Sequence, residues 1–150
     1  MPVTIFAMLV FGICTWLGAG VVEAVMRDFA VETGVSTWVF VIVPGLLAML
    51  FSLLLYGKAV DTIDGVRQSL SRALLVGVLT WLAVTAFVSS LWCPGYRALS
   101  CARDVALVTG VVGGGPLLIA VLVAGTIVGI VLRRRVQWLS YRTSRRQMVE

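Results

Sequence analysis

Four residues and one absence define the chemistry open to this chain. Cys93 and Cys101 flank the short interval "PGYRALS", and two cysteines this close around a Pro-Gly turn signal can close a small loop as a disulfide. Glu23 is the acidic residue set inside an apolar run, where an ionisable group is expensive to bury and marks a proton- or cation-binding carboxylate. Arg27 follows four residues later, the favourable order for a helical ion pair, so a structural Glu23–Arg27 pair near the membrane surface is the other reading. The chain has no histidine. Ser-His-Asp and Cys-His catalysis are thereby excluded, and so is the commonest metal ligand. With three scattered cysteines making no zinc cluster, we expect neither metal nor cofactor, and no enzymatic activity. Cys14 reads as a small packing residue within an apolar run. Gly113 to Gly115 lacks the Gly-Lys-Ser/Thr ending of a phosphate loop.

The elements that must position these residues follow from composition. The 150 residues are 60% hydrophobic and 13% charged, whereas a soluble domain is about a quarter charged. The excess is concentrated in four apolar runs, Val3 to Met26, Thr37 to Tyr56, Ala73 to Trp92 and Val105 to Leu132. At about 1.5 Å per residue each is long enough for a ~30 Å hydrocarbon core. Continuous apolar runs, without the alternation of a barrel strand, predict helices. The fold expected is an all-α integral membrane protein: one four-helix transmembrane domain over residues 1–150, ending in a basic tail at 133–150. The start "MPVTIF" lacks a basic region, and the first run exceeds the ~15-residue limit of a signal-peptide core, so Met1 is expected in the mature chain.

Charge orients the spans. Lys58, Arg67 and Arg72 fall between runs two and three, and Arg133, Arg134, Arg135, Arg142, Arg145 and Arg146 follow run four. The other two intervals carry only Arg27, Arg97 and Arg103. Basic residues gather on the cytoplasmic side, which places both termini in the cytoplasm and Cys93 and Cys101 outside, where a disulfide persists. A prokaryotic cell membrane is the expected location. Trp38 and Trp92 fall at the outer boundary, and Tyr56 and Trp138 at the inner one, as an aromatic belt would have it. The net charge of +5 is therefore read as topology and lipid contact, with no nucleic acid expected. The arginines of the tail, with Trp138 and Tyr141 among them, suit an anionic leaflet. Asp61 and Asp64, near Lys58 and Arg67, read as the solvated face of an interfacial helix or of an extension of run three.

The stretch "LGAGVVEAVMRDF", Leu17 to Phe29, resembles the first helix of the small multidrug resistance transporters, four-span proteins in which a membrane glutamate exchanges protons for cationic drugs. That resemblance implies transport through Glu23. Glu23 lies later in its run than the family's glutamate does, and run three lacks the family's tyrosine and tryptophan pattern. Four-span thiol-to-quinone oxidoreductases also carry outward cysteine pairs, but they require a second pair, which is absent here.

The chain also echoes itself. "TWLGAG" at Thr15 to Gly20 matches "TWLAVT" at Thr80 to Thr85, and "PGLLAML" at Pro44 to Leu50 matches "GPLLIAVL" at Gly115 to Leu122. Two tandem helical hairpins in parallel repeat would result, with Pro44 and Pro116 breaking equivalent helices. Gly110, Gly114, Gly125 and Gly129 recur at fourfold spacing and mark helix-packing faces. The expectation is a non-enzymatic subunit or scaffold, embedded in the lipid bilayer, packing through glycine-rich faces with other membrane proteins or as a homo-oligomer. The alternative is a small oligomeric transporter or channel using Glu23.

Overall fold

The structure, a computed structural model, describes residues 3–21, 27, 31, 34, 36–57, 66–93 and 98–147, the side chains of 98–99 and 136–147 excepted. They form α1 (Val3–Val21), α2 (Thr37–Gly57), α3 (Val66–Trp92), α4 (Ala98–Val112) and α5 (Gly114–Gln147). α1, α2, α3 and the Gly114–Arg135 part of α5 are each long and apolar enough to cross a bilayer. The fold is that of an all-α membrane protein.

Small residues decide how the helices meet. On α1 the buried positions are Val3, Ala7, Phe11, Gly12 and Thr15; on α2 they are Phe40, Gly45, Ala48, Ser52 and Tyr56. Both sets recur at intervals near one helical turn and so form a single stripe. α5 instead buries adjacent pairs, Ala120–Val121, Ala124–Gly125 and Val128–Gly129, which makes a wider buried stripe. α1 packs on α2 and α5, and α3 packs on the same two, closing a four-membered ring; α4 lies against α3 and the start of α5. Two tandem hairpins give a ring of this order, as do any four helices wound up and down in sequence. Large side chains face outward: Leu17, Val21, Trp38 and Val111 are exposed. An apolar surface of this extent belongs in lipid.

The core divides between the two ends. Eleven residues, among them Phe11, Tyr56, Val76, Val121 and Val128, form a cluster towards the end where α2 stops and α3 starts. At the opposite end, among the described residues, Phe40, Val88 and Val105 form a smaller cluster, flanked by Cys93 and Cys101.

Three features bear on the sequence reading: the extension of run three and the break in the fourth span are as expected, and the helix through Pro44 is not. α3 begins at Val66, seven residues before the expected run, so "VRQSLSR" extends the third span. Pro44 does not break α2, which runs unbroken through it. The missing N–H of Pro44 leaves the carbonyl of Phe40 without its helical donor, and one turn away the Trp16 indole reaches the carbonyl of Ile42, at 3.4 Å. The fourth span does break, at Gly113, between α4 and α5. Pro116 lies in the first turn of α5, where a missing N–H costs least. Gly113 still donates to the carbonyl of Thr109, and Leu117 to that of Gly113, each at 3.0 Å, so the chain turns with little loss of main-chain bonding.

Candidate functional site

Cys93 and Cys101 form a disulfide with a Cα–Cα distance of 5.9 Å, joining the end of α3 to the first turn of α4. Deeper along the same seam, the Thr109 hydroxyl donates to the carbonyl of Val105 at 2.8 Å, which leaves Thr85 to donate to Thr109 across 3.0 Å. A covalent link and a hydroxyl pair thus hold α4 on α3. Pro94, Gly95 and Arg97 lie outside the described residues.

The other end is closed by a polar cluster. Tyr56 is fully buried and donates to the carbonyl of Ser69 at 2.8 Å, while the Ser69 hydroxyl donates to the carbonyl of Gly125 at 2.9 Å. Three helices meet through these two hydroxyls, and Arg72 reaches back to the carbonyl of Leu55 at 3.4 Å. The sequence places Tyr56 in an interfacial belt; the structure places it inside the bundle against Phe11, ring centroids 5.6 Å apart. A phenol whose proton has an internal acceptor need not reach water.

The four glycines of the fourth span part company. A Cβ on Gly125 would lie 2.5 Å from that of Ala73, and one on Gly129 would lie 3.2 Å from Ser69 Cβ and Val66 Cα. These two bring α5 close to α3. Gly114 has nothing within 4 Å of the same position, and Gly110 meets only the Trp81 ring, at 3.7 Å or more. Gly110 and Gly114 line an apolar groove of about 310 Å³, together with Leu74, Val78, Trp81 and Leu118. The break at Gly113 creates it, because α4 and α5 do not continue as one cylinder.

Behind Trp81, towards the ring's axis, lies a cavity of about 60 Å³ lined by residues that include Thr15, Phe40, Pro44, Trp81, Thr109 and Gly113. It lies where the two proline-bearing spans face each other. The Thr15 hydroxyl and the Trp81 indole N–H are both buried without a hydrogen-bond partner. Thr80, the residue that echoes Thr15, is fully buried and also lacks one.

Glu23 lies outside the described residues, as do Lys58, Asp61 and Asp64; Arg27 is exposed. Arg133, Arg134 and Arg135 are exposed on α5. Arg142, Arg145 and Arg146 lie on the same helix, their side chains outside the described set. Cys14 is a free, half-buried thiol beside the larger core cluster. Sequence reasoning missed the Tyr56–Ser69 pair and the burial of the Thr15 and Trp81 polar groups, although the "TW" echo contained the last two.

No family model, curated protein or solved structure matches this chain.

Proposed function

We propose that this chain is a small, non-enzymatic membrane subunit that holds a transmembrane helix of a partner protein in the groove formed by α3, α4 and α5. The observation that carries the reading is the division among the glycines: Gly125 and Gly129 are used up inside the bundle, whereas Gly110 and Gly114 line an open apolar groove. In lipid there is no hydrophobic gain from pairing helices, so close approach over small residues becomes the main source of affinity. Both termini are cytoplasmic in this reading, the disulfide is external, and the membrane is that of a prokaryotic cell. The test is extraction from native membranes in mild detergent, with size measurement and mass spectrometry of whatever accompanies the chain. A stoichiometric partner that is lost on Gly114→Phe supports the subunit reading; a partner retained by that variant removes the groove from it.

A second reading is an oligomeric transporter or channel, favoured by the cavity between the proline-bearing spans. A clean homo-oligomer in the same extraction would shift weight to it. Glu23→Gln should then abolish flux in proteoliposomes while leaving the protein folded, and equal flux in parent and variant would remove Glu23 from the case.

A further inference from the structure

We propose that the cavity between the proline-bearing spans is a hydration site, holding ordered water that bridges the Thr15 hydroxyl and the Trp81 indole. This inference is independent of the groove and of any partner.

Four observations support it. Thr15 is 2% exposed and its Oγ1 has no partner. Trp81 Nε1 is likewise buried and unpartnered. Both residues line one cavity. Pro44 lines it too and has no N–H to give the carbonyl of Phe40, another lining residue, so that carbonyl has lost its helical donor. A buried hydroxyl or indole left without a partner costs about 1–3 kcal/mol, and in lipid no bulk water is at hand to relieve it. One water molecule needs two to four polar partners and about 10–15 Å³ of accessible space. About 60 Å³ is available, enough for a few molecules and too little for a metabolite.

The chemistry of the wall selects water over a cation. An indole N–H is a donor only and repels a cation, while a hydroxyl both donates and accepts. A water molecule can accept from Trp81 and still exchange a hydrogen bond with Thr15. Thr109 has already given its proton to Val105 and a lone pair to Thr85, leaving it room to accept once more.

Radiolytic hydroxyl labelling of the intact protein in lipid nanodiscs, read by mass spectrometry, tests this directly, because bound water becomes the local source of radicals. Phe40 and Phe11 are a matched pair: both are buried, and only Phe40 lines the cavity. The expected result is labelling of Phe40 and none of Phe11. An unlabelled Phe40, alike with Phe11, overturns the proposal. In Thr15→Val, which keeps the shape and deletes the hydroxyl, Phe40 labelling should be lost, whereas Thr15→Ser should retain it. Labelling that survives Thr15→Val overturns the assignment of Thr15 as the water's partner.

Discussion

Tyr56, at the last turn of α2, donates its phenolic proton to the main-chain carbonyl of Ser69, at the first turn of α3, over 2.8 Å. Both residues are wholly inaccessible. The bond spans the interval between the two helices, and Ser69 carries the connection onward to Gly125. Tyr56→Phe deletes the donor and keeps the ring against Phe11. We expect a loss of about 1 kcal/mol, within the range for interhelical hydrogen bonds in bilayers. Ser69→Ala should cost a similar amount, because it deletes the bond to Gly125 while Tyr56 retains its carbonyl acceptor. Unfolding in mixed micelles would check both, and an unchanged midpoint in either variant would contradict the bond it removes.

The same substitution should have opposite consequences at two glycines of α5. Gly125→Ala puts a methyl group 2.5 Å from Ala73 Cβ, an overpacking expected to destabilise by about 1–3 kcal/mol. Gly114→Ala meets nothing and should be neutral, or stabilising by up to about 1 kcal/mol through helix propensity. A comparison of the two midpoints in one denaturant series decides the matter.

Trp16 and Gly45 should behave as a coupled pair. A Cβ on Gly45 would fall within the Trp16 indole, so Gly45→Ala must displace the ring or part α1 from α2. A loss of about 1–3 kcal/mol is expected. With Trp16→Ala already present, the added methyl group has space, and the double variant should lose less than the sum. Strict additivity in that cycle would mean the two residues do not touch.

Reduction of the intact protein should raise its mass by about 2 Da as Cys93 and Cys101 become thiols. Because the closed loop is short, with a sequence separation of 8, the chain-entropy contribution is at the modest end, about 2–3 kcal/mol. Cys93→Ser with Cys101→Ser should lower stability by that order. An unchanged mass on reduction would dismiss the bond.

Much of this architecture is legible in the sequence because lipid leaves few choices: a run of twenty apolar residues must be helical, and the helices of the second and third spans end at Gly57 and Trp92, at or within one residue of the apolar runs. What escapes is pairing. Hydropathy does not distinguish the inward Tyr56 from the outward Trp38, since both are amphipathic aromatics at a run's end; the difference lies in Ser69 supplying an acceptor across the bundle. Likewise, a fourfold glycine spacing announces close packing without saying whose. The turn at Gly113 decides that, leaving Gly110 and Gly114 open while Gly125 and Gly129 are covered. Thr15 and Thr80 look like ordinary small residues in a membrane helix until their neighbours are known.

The uneven core has a dynamic consequence. Among the described residues, eleven buried apolar residues and the two hydroxyls bind the Tyr56 end together, against three buried apolar residues at the other. Local opening follows the thinnest packing, so amide exchange should begin where α1 ends and α4 starts and reach Ser69 and Gly125 last. The disulfide lies in the looser half, where it keeps α3 and α4 joined through each fluctuation, so a transient parting of the helices there stays short of separation.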